Sequence, residues 1–269
     1  MFNFVAQNKK SISARQKNKT ITTTKKVFNM RIRLNFNATD EVFNGTPTQN
    51  LVNGFVHRML GKSNQYHDNF NEYSVSNLFG GVLTEKGMTY PNGGYFYLST
   101  VDDTLMTTFL SNLSSLGNRT ISTMTYKSFD IVEFIPNGLR GNAGERKHKY
   151  SYDIIHVNNI FFKTKEKEYI FFDDERFITL LTEHCKAKLS KLENGFSKKD
   201  VEGLIIKPFH FENGKRKFFK LKKELNAIPT SSVMLYVSGN PNMRKKLYEM
   251  GLGLSTGCGF GSVEIKFKA

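Results

Sequence analysis

The stretch "GLGLSTGCGFGSVEIKFKA", residues 251–269, decides how this chain is read. Five glycines, Gly251, Gly253, Gly257, Gly259 and Gly261, fall within eleven residues, and a short alternating run follows them. A P-loop needs a Gly-Lys-Ser/Thr ending that opens a helix. No lysine stands between Gly251 and Gly261. A dinucleotide fingerprint must likewise open a helix, inside a strand–helix–strand unit of roughly 30 residues. "SVEIKFK" alternates apolar and polar, so this loop enters a strand instead. Glycine there serves a tight turn or a close backbone approach. A sharper reading is a loop whose bare N–H groups hold phosphates.

Upstream of that loop the chain carries a large positive excess. Lysine and arginine total 39 against 24 acids, a formal charge of +15 over 269 residues. Such a balance favours a polyanionic partner, nucleic acid first. Residues 1–29 hold seven of the basic residues and no acid, leaving +8 for the remainder. They contain no apolar core of a secretory signal and read as a disordered basic tail, or as sequence ahead of a start at Met30. Two cysteines make neither a disulfide framework nor a zinc site, and a reducing cytoplasm is the expected location. No run of 18 apolar residues predicts a membrane span.

Periodicity orders the rest. "MRIRLNF" (30–36) alternates as a half-buried strand, and "TQNLVNGFVHRMLGK" (48–62) has helical spacing through Leu51, Phe55 and Met59. Strands are predicted at 73–79, 94–100 and 120–135, with a helix at 102–116. The order β-α-β-β-α-β is that of a ferredoxin-like unit. The second half repeats it, with strands at 153–162, 168–172, 201–211, 232–239 and the terminal run, and helices at 174–193 and 240–251. The expected fold is α+β: tandem ferredoxin-like (RRM-like) domains at 30–140 and 141–269, joined near "PNGLRGNAGERKHK" (136–149), the second ending in the glycine-rich loop. One larger α+β domain is the alternative.

The pattern Gly251-x-Gly253, five residues, Gly259-Phe260-Gly261 and a short strand resembles the glycine-rich loop of the CRISPR repeat-processing endoribonucleases of the RAMP superfamily. The strand at Met30, the helix bearing "NGFVHRML" and the following "QYHDNF…YSVSNLFGG…GYFYLST" extend the resemblance over roughly residues 30–269. It implies metal-independent cleavage of precursor CRISPR RNA by its own 2′-hydroxyl, leaving 5′-hydroxyl and 2′,3′-cyclic phosphate ends, with no cofactor. The sequence departs from the resembled family in one respect: "LSTGC" carries no basic side chain, so charge would come from neighbours such as Arg244, Lys245 and Lys246.

That reaction needs a base, an acid and a donor to the pentacoordinate phosphate, and histidine suits the first two. In the family the catalytic residues come from the first helix and the segment after it. His57 and His67 occupy those places. His57 falls outside the apolar arc of its helix, and His67 lies in the polar "SNQYHDNF". The pair is expected to share the acid and base roles, with Lys62 or Tyr73 as the phosphate donor. His184 falls on an apolar helix face and reads as core. His156 and His210 are placed in strands, and His148 in a basic loop.

RNA contacts are expected from "NGKRKFFKLKK" (213–223), through Lys215, Arg216, Lys217 and Lys220 beside Phe218 and Phe219. They are expected also from Arg244, Lys245 and Lys246, and from the backbone at Gly251, Gly253, Gly259 and Gly261. Arg140, Arg146, Lys147 and Lys149 form a second patch. A solvated basic hairpin edge would look the same. The expected partner is CRISPR repeat RNA, with an effector complex or a second copy of the chain as further candidates, and no membrane. Two rivals share these features: a non-catalytic RNA-holding RAMP subunit of an effector complex, and a basic structural protein without preference for repeat RNA.

Overall fold

The computed structural model describes residues 30–43, 48–61, 72–117, 119–134, 136, 152–164, 166–192, 195–219 and 226–265. The tail at 1–29 and most of the 136–149 join lie outside them. The first half runs β1 (Met30–Phe36), β2 (Thr39–Phe43), α1 (Thr48–Leu60), β3 (Tyr73–Val75), β4 (Val82–Thr84), β5 (Gly87–Tyr90), β6 (Gly94–Thr100), α2 (Asp103–Ser115), β7 (Thr120–Ile121) and β8 (Met124–Val132). Its main sheet is antiparallel in the order β3-β6-β1-β8-β7. Alternation along β1 sends Ile32, Leu34 and Phe36 to one face, where α1 and α2 cover them with Val52, Phe55, Met59, Leu105 and Phe109. Asp102 starts α2 by accepting from the backbone N–H groups of Thr104 (2.7 Å) and Leu105 (3.1 Å).

The second half runs β9 (Tyr152–Ile160), β10 (Phe162–Lys163), β11 (Tyr169–Ile170), α3 (Phe177–Ser190), α4 (Lys198–Glu202), β12 (Ile205–Pro208), β13 (Lys215–Phe219), β14 (Ile228–Ser238), α5 (Pro241–Met250) and β15 (Ser262–Ile265). Its sheet has the order β12-β14-β9-β15, with β13 also on β14. In each half the second, third, first and fourth strands of the unit lie side by side in that order, so the tandem ferredoxin-like expectation holds. Ile155, Val157, Val233 and Leu235 pack beneath α3 and α5 in a second core. Asn240 caps α5 by accepting from the Asn242 N–H (2.9 Å), and Pro241 takes the first helical position.

Three local expectations change. Between the strands expected at 73–79 and 94–100, where "KGMTYPNGG" (86–94) carries turn signals, lies the β4–β5 hairpin, which joins β2 in a separate three-stranded sheet. The run at 120–135 is a hairpin folded at Ser122, whose φ is 52°. The strand expected over 201–211 is only Ile205–Pro208, because Ser197 caps the short α4 ahead of it. His210 therefore leaves the sheet, adopts φ 51° and bonds Glu212 at 2.7 Å.

The helices cover one face of each sheet, and the halves meet where α5, β15 and the glycine loop of the second pack against β1, β3, β6 and α1 of the first. Arg31, on the open face of β1, donates to the carbonyl of Val263 in β15. Its guanidinium lies 4.1 Å from the Tyr97 ring centroid and 4.8 Å from that of Tyr248. Asn159 donates to Asn77 across the same seam at 3.1 Å.

Candidate nucleic-acid interface

Helix α1 carries the polar stripe Gln49, Asn53, His57 at four-residue spacing. Each step advances about 6 Å and drifts about 40° around the axis, so the three share a face. Gln49 donates to Asn53 (2.9 Å), and Asn53 donates to the carbonyl of Cys258 in the glycine loop (3.3 Å). The loop therefore docks on the first two members of the stripe. The half-buried imidazole of His57 stands one turn further along. A second anchor comes from Thr256, whose hydroxyl donates to the Tyr73 carbonyl at 2.8 Å.

Close approach to the surrounding protein explains the glycines. Gly251, Gly253, Gly259 and Gly261 are all buried, and their positive φ values turn the loop back on the protein. At Gly259 (φ 95°) a β-carbon would collide with the Gln49 side chain, and at Gly261 (φ 59°) with the Leu252 carbonyl. These four residues shape the loop from inside. Its outward residue is Ser255, between half-buried Leu254 and buried Thr256, with Cys258 half-buried further on.

His67 and Lys62 lie outside the described residues, as do Lys220, His148 and the 140–149 patch. Tyr73 is 2% exposed, and its ring lies against Gly257 beneath the loop. Burial, then the nearby Cys258, raises its pKa. It supports the loop and does not reach solvent as a phosphate donor. Arg244, expected to meet phosphate, is 2% exposed and pairs with buried Asp153. Burial lowers its pKa against the opposing pull of Asp153. The basic triplet turns inward here because α5 spends that face on the core. Lys245 and Lys246 are half-buried where the two halves meet, Lys245 lining an interdomain cavity of about 230 Å³ with Arg31 and Glu249.

β13 is better placed. Register pairs Lys215 with Ser232 and Lys217 with Thr230, on the uncovered face, while Arg216 points the other way. Arg216 bonds Asp173 (2.5 and 3.2 Å) and covers the Phe171 ring at 4.4 Å. Phe219 packs edge-on against Phe260 of the glycine loop, centroids 4.7 Å apart, so the basic strand and the loop adjoin. Phe218 is 73% exposed. On the sheet of the first half, Arg33 lies 3.8 Å above the Tyr95 ring, and Tyr95 stacks on Phe79 at 5.3 Å. A cationic and aromatic surface of this kind suits single-stranded nucleic acid.

Of the other histidines, His156 does lie in a strand. Its Nε2 is 2.9 Å from the Ser232 hydroxyl, and its Nδ1 is 3.6 Å from Glu264. His184 packs on Phe162 and lies against the Gly253 backbone. Burial, with Lys188 and Lys191 nearby, lowers its pKa to about 4. Sequence reasoning missed Gln49, Asn53, Lys188 and Arg33. The i, i+4 run from Gln49 to His57 was the signal available for the first two. Among the described residues no group of three His, Cys, Asp or Glu side chains could hold a metal ion. Among them, too, no helix is long and apolar enough to cross a membrane.

Comparison with curated proteins finds no match. Residues 155–265 match the family model described as CRISPR associated protein Cas6, C-terminal. A Cas6-related protein from Pyrococcus furiosus aligns with TM-score 0.66 at 14% identity, over 90% of this chain and 100% of that one. A RAMP protein described as binding different RNA substrates aligns with TM-score 0.66 at 14% identity, over 88% and 100%. A Cas6 product complex aligns with TM-score 0.58 at 12% identity, over 88% and 99%. Residues 155–265 thus resemble the C-terminal domain of Cas6 proteins, and the described chain shares its tandem ferredoxin-like fold with solved Cas6 and RAMP structures.

Proposed function

We propose that the chain is an endoribonuclease that cuts precursor CRISPR RNA within the repeat, without a metal, by attack of the RNA's own 2′-hydroxyl. One observation carries the reading: the glycine loop docks through Asn53 on the same stripe of α1 that bears His57. RNA lying along the loop and the basic β13 would then pass an imidazole. The 2′-oxygen loses its proton and attacks the adjacent phosphorus. The P–O5′ bond breaks, and the 5′-oxygen takes a proton. His57, with His67 from the segment that follows α1, would move these two protons. The family match at 155–265, and the RNA substrates named for one protein of similar fold, support repeat RNA as the substrate.

The test is incubation with a panel of labelled CRISPR repeat RNAs in EDTA, with each cut mapped. Cleavage leaving a 5′-hydroxyl and a 2′,3′-cyclic phosphate, blocked by a 2′-deoxy at the cut site, is expected. A requirement for metal would overturn the mechanism. Tight repeat binding without a cut would move the chain to the RNA-holding subunits. Salt-sensitive binding without preference for repeats would make it a basic structural protein.

A further inference from the structure

Behind the glycine loop lies a buried cation. Lys188, on α3, is 3% exposed, and its ammonium donates to the carbonyls of Met250 (3.2 Å) and Gly251 (3.2 Å) and contacts the Thr256 hydroxyl at 3.4 Å. These three oxygens match the three N–H donors of an ammonium. Two of them are carbonyls at the C-terminal end of α5, where a cation is favoured. The third, Thr256 Oγ1, donates its own hydrogen bond to the Tyr73 carbonyl of the other half. No carboxylate pairs with Lys188 among the described residues.

Burying an ammonium costs several kcal/mol before any compensation. A methionine would fill much of the same space without that cost. What the ammonium adds is directional: all its partners belong to the segment that forms the glycine loop, and none to α3. One turn earlier on α3, the His184 imidazole lies against the Gly253 backbone, which acts on its pKa. The same helix face therefore grips the loop at Met250, Gly251, Gly253 and Thr256. It also sets a fixed positive charge beneath a loop that carries none of its own. Burial pulls the Lys188 pKa down to about 8, which leaves it mainly cationic at neutral pH.

We infer that Lys188 is a positioning residue for RNA binding: through three hydrogen bonds it holds the glycine loop in the shape that receives the RNA backbone. It touches no substrate. The inference rests on the reading of the loop as an RNA grip, and the experiment separates the two. Single-turnover kinetics on a cleaved repeat RNA are compared for wild type, Lys188→Met, Thr256→Val and Ser255→Asp. The last adds a negative charge at the exposed tip of the loop.

Lys188→Met is expected to raise the half-saturating RNA concentration about tenfold while the rate at saturation stays within twofold. Thr256→Val, which removes one contact, is expected to raise it about threefold, and it carries the test if Lys188→Met does not fold. A loss of folded fraction and of saturating rate with unchanged half-saturation would make Lys188 a merely structural lysine and overturn the inference. If Ser255→Asp weakens binding and neither of the other two does, the inference alone fails. If Ser255→Asp changes nothing, the loop is not the grip, and both readings fall.

Discussion

His57 stands one helical turn beyond an asparagine that holds the loop, and this neighbour relation makes it worth testing. His57→Ala is expected to slow single-turnover cleavage at least tenfold while RNA affinity changes less than threefold. An unchanged rate would remove it from the reaction. Asp153 tests a structural residue of the opposite kind. Asp153→Ala would leave Arg244 buried without its carboxylate, at a cost of about 3–5 kcal/mol, read as a fall in melting temperature. The contrast shows what was legible residue by residue. His57 could be placed off the apolar arc from spacing alone. Arg244 could not be told from a surface arginine, because the carboxylate that claims it lies 91 positions away.

Among the elements, β13 carries the clearest electrostatic prediction. Lys215→Gln with Lys217→Gln should weaken RNA binding across all sequences and flatten the salt dependence by roughly one unit of log–log slope. Arg216→Gln, on the opposite face, should alter the slope little. Most elements were readable because their periodicity is clean: β6 occupies the residues 94–100 that alternation predicted, and α5 begins at the asparagine and proline that mark it. Failures cluster where short polar runs decide. The β4–β5 hairpin hid in a glycine-rich stretch, since its exposed Val82 and Leu83 belong to no core pattern. The 201–211 run looked continuous, but the Ser197 cap claimed its start for a helix. The glycines misled in a different way. Their spacing announced a special loop, yet the side chains that require them, Gln49 on α1 and Ile160 on β9, are distant in sequence.

Across the whole molecule the two halves meet through charged groups, one of them out of balance. Glu249, on α5, is buried beside Lys245, and desolvation raises its pKa to about 7. A carboxyl raised from about 4.5 favours folding fully below its unfolded value. That contribution is lost as pH rises through 7, because the folded protein must then hold a buried charge. Glu249→Gln is therefore expected to raise the melting temperature at pH 8 and to leave it nearly unchanged at pH 4.5. An equal shift at both pH values would mean that its titration plays no part. The tandem architecture itself was visible in the repeated order of elements. The way the halves join was not, because neither half's alternation records which elements of the other it will meet.

The joining contacts tie together residues 183, 205 and 232 positions apart: Thr256 to Tyr73, Cys258 to Asn53, and Val263 to Arg31. Separations of that size make the closing step late and entropically expensive during folding. Once made, they couple the halves, so neither is free to open while the other stays shut. Amide hydrogen exchange would register this as one cooperative unit, with protection in β1 and β9 lost at the same denaturant concentration and not in two successive steps.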